Sequence, residues 1–458
     1  MANGNGGDAI HPTRPPAGRR LTAMTTRESI AAGEAVFHDL AMRSADLWRD
    51  RDLGAYASAR VRGLIAGSAT DWGLGGGGRE ARRAPISLAG GIPDAATQPK
   101  AALLEAMRRA LDTPDDAPLV YGGARGYEPL REEIARYFAR DQGPAPVADH
   151  VVLTNGAAGA IDMVCAALLD PGDVVISEVP TFSGSLRTMR GHQAEIVGIH
   201  MDDEGIRLDD LAAAVTRLRR EGRSVKLIYT IPTFQNPTGL TMSMGRRADL
   251  VRFAAEHGIL VLEDTAYAEL YFGPERPPSL SAIAGGHGVI TAGTFSKVIA
   301  TGLRVGWVQA QPELIATMLP ARFDMGNSPL LHRMLYQYMA SGDFGAHVDA
   351  MRGLYRRKVE TLAGALRELG ESSVEFATPS GGFFLWLHLR DGRAARDVQA
   401  AAFEEGVIFP AGDAFYPDRD PGPDGECIRL AYSWTSEDDL REGAQRLVAA
   451  CERVATSR

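Results

Sequence analysis

The stretch TAGTFSKVIATGLRVGWV, residues 291–308, places a lysine directly after Thr-Phe-Ser and an arginine seven positions after that lysine. The residues on either side, 288–290 and 305–310, are short, β-branched and apolar, which is typical of buried strands. Lys297 is therefore predicted in a loop between two core strands. The nearby side chains that can hold a phosphate group are Thr294, Ser296 and Arg304. The alternative is a solvated turn with an ordinary surface lysine. Evidence from the rest of the sequence is needed to distinguish the two interpretations.

The composition is that of an ordinary globular protein. Of 458 residues, 45% are hydrophobic and 23% are charged, which allows two or three domains or one large one. The formal net charge of −9 argues against nucleic acid or an anionic membrane as a partner. No apolar run approaches the roughly 18 residues of a membrane helix, and the polar, Gly/Pro-rich start does not resemble a signal peptide. Cys165, Cys427 and Cys451 form neither a disulfide framework nor a zinc pattern. These features predict a cytoplasmic protein without a metal site.

The sequence divides into segments of different character. Residues 1–20 are polar and rich in Gly and Pro, so we predict a disordered tail. A helical pattern follows, and the glycine-rich residues 65–85 predict a flexible linker, because a phosphate loop needs a preceding strand and a following apolar helix. We predict that residues 21–110 form an N-terminal arm and part of a small domain. Residues 111–327 are predicted to form a large cofactor-binding domain, and residues 328–458 a small C-terminal domain.

Between residues 150 and 310, strand-like apolar runs alternate with helical patterns. The predicted strands are HVVLT, DVVISEV, AEIVGIH, KLIYTIP, GILVLED, GVITA and RVGWVQA. Such alternation predicts an α/β domain around a mostly parallel sheet, with a site at the strand ends. After residue 328 the pattern is first helical and then mixed, which predicts a smaller α+β unit.

The loops that follow these strands carry an unusual set of side chains. After the first strand, small residues begin a helix, where backbone N–H groups and the helix dipole favour an anion. The later loops supply, in order, Phe182, Asn236, Asp264, Tyr267 and Lys297. Each alone has an ordinary explanation as a core aromatic, a turn or a helix cap. Together they offer an amine for an imine, an acid for a ring nitrogen and donors for a ring oxygen. Pyridoxal 5′-phosphate (PLP) is therefore the predicted cofactor.

Several motifs add a resemblance to a known family. They are ISLAGGIPD, YGGARGYEPLR, NPTG, EDTAY, TFSK with GLRVGW, GGFFLW and IRLAYS. Over residues 86–458 the sequence resembles fold-type I PLP-dependent enzymes of the class I/II aminotransferase family, in particular the branch of 2-aminoadipate and aromatic aminotransferases. The resemblance implies a large domain with a seven-stranded, mostly parallel sheet and a smaller α+β domain built from both chain ends. It also implies a homodimer with active sites at the subunit interface.

The resemblance also implies a role for each matching residue. Lys297 forms the imine with the cofactor and carries the proton, and Asp264 pairs with the protonated pyridine nitrogen. Tyr267 and Asn236 donate to the ring oxygen, and Phe182 stacks on the ring. The implied phosphate-binding residues are Gly156, Ala157, Ala158, Thr294, Ser296, Arg304 and Tyr121 of the partner subunit. The implied substrate-binding residues are Gly91, Asn236 and Arg429, whose guanidinium clamps the α-carboxylate.

One departure from the family pattern concerns the turn after the first strand. Ala157 and Ala158 occupy the positions where this branch usually has a Ser-Gln pair, so two side-chain contacts to the phosphate are absent. We predict transamination from an α-amino acid with an apolar or aromatic side chain to a 2-oxo acid. No second arginine matches a motif position for a side-chain carboxylate, and Trp72 and Leu74 would offer apolar contact. A lyase, cyclase or decarboxylase begins with the same imine and stays an alternative. A transcription regulator with an N-terminal winged helix is a further alternative, although the N-terminus lacks a compact basic helix-turn-helix pattern.

Overall fold

The computed structural model describes residues 27–67, 82–114, 116–143 and 145–456. It divides the chain into two compact units, Met1–Ser58 and Ala59–Arg458, which we describe separately. In the first unit, α1 (Arg27–Arg49) covers the predicted helical pattern and is followed by a short 3₁₀ turn. The predicted tail of residues 1–20 lies outside the described residues, as do Trp72, Leu74 and most of the predicted linker.

The second unit contains all the described strands and the remaining helices. The strands are β1 (Ile86–Ser87), β2 (Val151–Thr154), β3 (Val174–Val179), β4 (Glu195–Asp202), β5 (Gly205–Ile206), β6 (Val225–Thr230), β7 (Leu260–Asp264), β8 (Val289–Thr294), β9 (Gly306–Gln309), β10 (Val374–Glu375), β11 (Phe384–Leu389), β12 (Val407–Ile408) and β13 (Cys427–Ala431). The helices are α2 (Ala59–Gly67), α3 (Lys100–Leu111), α4 (Glu128–Phe138), α5 (Gly156–Leu168), α6 (Ser183–Gly191), α7 (Leu208–Arg220), α8 (Met244–His257), α9 (Leu280–Ile283), α10 (Pro312–Met318), α11 (Pro329–Ala340), α12 (Asp343–Gly370), α13 (Ala395–Glu404) and α14 (Glu437–Thr456).

The main sheet has eight strands in the order β2-β9-β8-β7-β6-β3-β4-β5. Strands β4, β3, β6, β7 and β8 run parallel, whereas β9 runs antiparallel to both β8 and β2. All seven predicted strands are present, and the prediction of a mostly parallel α/β sheet is confirmed. The eighth strand, β5, has two residues and pairs antiparallel with β4 at one edge. A strand this short has no alternating or apolar pattern by which the sequence would predict it.

The parallel strands are apolar because both faces of the sheet are covered. Every residue of β3 and of β8 is buried, as expected for strands with helices on both sides. At Gly293 a Cβ atom would lie 2.1 Å from the ring of Trp307 on β9, so only glycine allows this pairing. Because β3, β6, β7 and β8 point the same way, the loops after them meet at one edge of the sheet.

A smaller sheet lies in the C-terminal part of the chain. Strands β10, β11 and β13 form it with antiparallel pairing, and α12 packs against α14. Strand β1 pairs in parallel with β12, which joins residue 86 to residue 407. The unit Ala59–Arg458 is not divided further into compact units. The division into domains at residues 111 and 328 therefore stays a prediction. Among the residues that the structure describes, every helix is too short or too polar to span a membrane.

Candidate active site

The loops at this edge of the main sheet enclose a cleft of about 400 Å³, a volume typical of small-molecule sites. Most of the residues selected from the sequence line it. They are Gly91, Ala157, Ala158, Phe182, Asn236, Asp264, Tyr267, Thr294, Ser296, Lys297, Arg304 and Arg429. These residues are widely separated along the chain, and the edge of the sheet, together with β13 and the loop after β1, brings them to one place.

One end of the cleft is formed by hydroxyl groups, a guanidinium and a helix N-terminus. The Thr294 hydroxyl donates to the Ser296 hydroxyl at 2.9 Å, and Arg304 donates to the carbonyl of Asn155 at 3.0 Å. Gly156, the first residue of α5, does not line the cleft, but a Cβ there would lie 2.8 Å from the Arg304 Nη2. Glycine thus allows the guanidinium to lie against the start of α5. Backbone N–H groups and positive charge at a helix N-terminus form an anion site.

Asp264 lies at the end of β7, lines the cleft and is 4% exposed. Its carboxylate accepts from the Ala266 N–H at 3.0 Å and from the Tyr229 hydroxyl at 3.1 Å. The Tyr229 and Ser185 hydroxyl oxygens are 2.8 Å apart. Burial raises the pKa of Asp264, while these donors and the nearby Lys297 oppose the shift. The carboxylate is held in place by neutral donors, so its charge is available for a ligand.

Lys297 extends from the loop after β8 into the cleft. Its Nζ donates to the carbonyl oxygen of Gly91 at 2.7 Å and lies 5.8 Å from the ring centroid of Tyr267. Burial, together with the positive charge of Arg429, lowers the pKa of Lys297 to about 8. A fraction of the amine is therefore neutral near neutral pH, which is the nucleophilic form.

Arg429 lies on β13 and is 3% exposed. It is packed between Phe384 and Phe415, with its Cζ 4.4 Å and 4.7 Å from the two ring centroids. It donates to the Asn236 side-chain oxygen at 2.9 Å and to the carbonyl of Ala89. Its Nε has no hydrogen-bond partner among the described residues, and burial lowers the pKa of Arg429 to about 10. A buried cation bonded only to neutral oxygens has its charge free to bind a carboxylate.

Gly91 is required on steric grounds. A Cβ at this position would lie 2.4 Å from the ring of Phe384, so a side chain would displace the ring that covers Arg429. Tyr267 is buried among Phe383 and Phe384 at centroid distances of 5.7 Å and 5.4 Å. Burial raises the pKa of Tyr267, so its hydroxyl stays protonated and can donate.

Of the selected residues, Gly156 and Tyr121 do not line the cleft of their own chain, and Tyr121 lies at the surface. Its side chain is 82% exposed and lies in the loop before α4. The Tyr121 side chain is therefore not used in the cleft of its own chain. The predicted contact of Tyr121 across a subunit interface requires this.

Sequence reasoning missed several residues of the cleft and of its support. The lining residues that it missed are Ile161, Gly184, Ser185, Thr188, Ile231, Ala266, Thr301 and Phe384. Ser185 and Thr188 lie three residues apart on α6, so they face the same side of that helix. Helical spacing after the Phe182 turn is thus a signal that would have found them, whereas the bond between Tyr229 and Asp264 has no local signature.

Comparisons with known proteins agree with this geometry. The family model for aminotransferase class I and II matches residues 84–447. The chain is 32% identical over 365 residues to aromatic-amino-acid aminotransferase 1 of Thermococcus litoralis, covering 79% of this chain and 87% of that protein. The crystal structure of a multiple substrate aminotransferase from Thermococcus profundus superposes with a TM-score of 0.79 at 29% identity, over 89% of this chain and all of that one. The structure of LysN, an alpha-aminoadipate aminotransferase from Thermus thermophilus complexed with N-(5′-phosphopyridoxyl)-L-leucine, superposes with a TM-score of 0.74 at 30% identity, over 88% and 97% of the chains.

The chain belongs to the class I and II aminotransferases. It has the fold-type I architecture, and it is a PLP-dependent enzyme that transfers amino groups. The cleft fits this cofactor on its own evidence, since it combines an amine with a lowered pKa, a buried carboxylate and an anion site at the N-terminus of α5. The predictions of the family, the cofactor and amino-group transfer are confirmed.

Proposed function

We propose that the cleft holds PLP and that the enzyme transfers the amino group of an α-amino acid with an apolar or aromatic side chain to a 2-oxo acid. The observation that carries the proposal is the common cleft of Lys297, Asp264 and Arg429. It offers an amine, an acid and a carboxylate clamp within one volume of about 400 Å³.

The residues divide the work by their chemistry. The cofactor supplies an electron sink for negative charge at the substrate Cα. Asp264 pairs with the ring nitrogen, and Lys297 moves the proton to and from Cα. Tyr267 and Asn236 donate to the ring oxygen, while Phe182 covers one face of the ring. Backbone N–H groups at Gly156, Ala157 and Ala158, with Thr294, Ser296 and Arg304, hold the phosphate.

The substrate side chain is proposed to be apolar because each cation among the described residues of the cleft already has another role. Among the described lining residues these are Lys297, Arg304 and Arg429, and each already has a role toward the cofactor or the α-carboxylate. Ile161, Ile231 and Phe384 add apolar surface. An aromatic-amino-acid aminotransferase among the relatives supports the same choice. The LysN structure, although that of an alpha-aminoadipate aminotransferase, contains a leucine adduct.

A screen of amino donors tests the substrate proposal. With pyruvate as acceptor, kcat/KM is measured for leucine, methionine, phenylalanine and tyrosine, and for aspartate, glutamate and 2-aminoadipate. We expect the apolar and aromatic donors to lead by at least about 10-fold, because a dicarboxylate would leave a desolvated charge unpaired. Higher kcat/KM for aspartate or 2-aminoadipate would refute the apolar preference.

Labelling with borohydride tests the role of Lys297. The purified enzyme should be yellow, and reduction should fix the cofactor to Lys297 in a peptide mass map. Lys297→Ala should abolish turnover and keep the fold, because the lysine is both the imine partner and the proton carrier. Lys226 is a suitable control, since it lies on β6 outside the cleft and pairs with Asp173 at 3.6 Å. A reduced adduct on Lys226 would overturn the assignment.

A homodimer is part of the proposal. Exposed apolar side chains cluster in two loops that contact each other near α5, where Arg322 donates to the carbonyl of Ala124 at 2.6 Å. We call them the apolar rim, which consists of Leu119, Val120, Tyr121, Phe323 and Met325. Exposed apolar patches of this kind are typical of subunit interfaces. On this proposal Tyr121 of the partner subunit reaches the cofactor phosphate.

The cytoplasm stays the proposed compartment. Cys165, Cys427 and Cys451 are all buried free thiols, which is usual in a reducing environment.

A further inference from the structure

Glu178 is a buried carboxylate that does not line the cleft. It is the second-last residue of β3 and is 1% exposed. It accepts hydrogen bonds from the Thr230 hydroxyl at 2.6 Å, the Ile231 N–H at 2.7 Å and Gln235 Nε2 at 3.2 Å. Burial raises the pKa of Glu178, and these three donors oppose that shift. Burial of a carboxylate costs free energy unless donors compensate for it. The next question is which other parts of the site these donors hold in place.

Gln235 connects this carboxylate to two loops of the site. Its Nε2 also donates to the carbonyl of Pro180 at 2.7 Å. Its Oε1 accepts from the N–H and the hydroxyl of Thr238, at 2.9 Å and 2.8 Å. One amide therefore ties the loop after β3 to the loop after β6 and closes the turn that contains Asn236.

These two loops carry Phe182 and Asn236, which both line the cleft. The Asn236 side-chain oxygen in turn accepts from Arg429 at 2.9 Å. A continuous chain of contacts thus runs from Glu178 through Gln235 and the turn to Asn236 and Arg429.

We propose that Glu178 and Gln235 are positioning residues, which set the places of Phe182 and Asn236 and, through Asn236, of Arg429. The inference rests on the proposed function, because it takes those three residues as the contacts of cofactor and substrate. The competing explanation is that Glu178 only stabilises the fold.

Glu263 provides a matched control for that explanation. It is a carboxylate of β7 that is also 1% exposed. It accepts from the backbone N–H groups of Leu280 and Ser281 at 2.8 Å and 3.1 Å, and from the Thr291 hydroxyl at 3.4 Å. None of these partners lines the cleft. Glu263→Gln therefore removes an equally buried charge without touching the loops of Phe182 and Asn236.

The experiment compares Glu178→Gln with Glu263→Gln in the full-length chain. For each variant the melting temperature without cofactor, the Kd for PLP, and KM and kcat for the preferred donor are measured. In Glu178→Gln the amide oxygen can still accept from Ile231 and Gln235, and the amide N–H can donate to the Thr230 hydroxyl, but the negative charge is lost. The hydrogen bond from Gln235 then goes to a neutral acceptor, so we expect about 10-fold weaker PLP binding and about 10-fold higher KM, the difference between a buried hydrogen bond to a charged group and one to a neutral group. Glu263→Gln should lower the melting temperature and leave Kd and KM within about 2-fold.

Gln235→Leu provides a second variant in case Glu178→Gln does not fold. It keeps the bonds of Glu178 to Thr230 and Ile231 but breaks the link to both loops, so it should also raise Kd and KM. If both variants change only the melting temperature, as Glu263→Gln does, the positioning role is wrong. If the wild-type chain itself fails to bind PLP, the proposed function is wrong instead, and the two failures are thereby distinguished.

Discussion

At the scale of single residues, Arg429 illustrates how burial makes a binding group. Its guanidinium is held by neutral oxygens and two aromatic rings, and no carboxylate pairs with it among the described residues. The charge is desolvated in advance, so the proposed substrate carboxylate would bind to a fixed cation. Because every amino acid presents the same α-carboxylate, the contribution of Arg429 should not depend on the substrate side chain.

Arg429→Ala should therefore weaken all donors alike. We expect kcat/KM for leucine and for phenylalanine to fall by the same factor, equivalent to roughly 2–5 kcal/mol, because a buried charge pair is lost. Arg393→Ala is the control, since Arg393 is similarly buried but donates to the carbonyls of Cys451 and Arg390 outside the cleft. It should lower the melting temperature without raising KM. Unequal losses for the two donors would show that Arg429 contacts the side chain instead.

Most residues that line the cleft were predictable, whereas the buried residues that support them were not. Lys297 and Asp264 belong to local motifs, and the chemistry of the cofactor requires an amine and an acid. Glu178 and Gln235 are 57 positions apart, and Tyr229 and Asp264 are 35 apart. The first bond joins β3 to the loop after β6 and the second joins β6 to β7, so no spacing within one element reveals them.

At the scale of elements, the strands were predictable because the parallel strands are buried on both faces and are therefore continuous apolar runs. Their order, and the reversed direction of β9, depend on pairing between distant residues such as Val152 with Val308. No local pattern encodes such pairing. Helix α11 contains a further feature that the sequence did not indicate. His332 on this helix is 1% exposed, and neither ring nitrogen has a hydrogen-bond partner among the described residues.

His332 should make the stability of the apoenzyme depend on pH. Burial, with a smaller effect of Arg322, lowers the pKa of His332 to about 4, whereas the unfolded chain has an ordinary pKa of about 6.5. Above pH 6.5 both states are neutral and the stability is fully present. As the pH falls from about 6.5 toward 4, only the unfolded state gains the proton, so the free energy of unfolding decreases by up to about 3 kcal/mol.

His332→Leu should remove this part of the pH dependence. Melting temperatures of the wild-type and variant apoenzymes are compared at pH 7.5 and pH 5. We expect the wild type to lose more stability between the two values, since the variant has no imidazole to protonate on unfolding. Parallel losses in the two proteins would mean that His332 does not contribute.

At the scale of the whole molecule, the cleft of one chain is proposed to be incomplete. Ala157 and Ala158 offer no side-chain donors to a phosphate, and Tyr121 lies exposed in the apolar rim. A second copy that covers the rim would bury these apolar side chains and bring its Tyr121 to the phosphate end. The sequence predicted this assembly only through the family resemblance, because no pattern within one chain specifies its contact with another copy.

Mixed dimers test whether the site is shared between subunits. Tyr121→Ala and Lys297→Ala are each expected to have low activity alone. In a heterodimer, one cleft combines an intact Lys297 with Tyr121 of the partner subunit, and the other cleft lacks both groups. Random mixing of equal amounts should therefore restore about a quarter of the wild-type sites. Asp264→Asn mixed with Lys297→Ala is the control, because both residues act within their own chain and every cleft of that heterodimer stays defective. An active monomer by light scattering, or equal recovery in both mixtures, would exclude a role for Tyr121 across the interface.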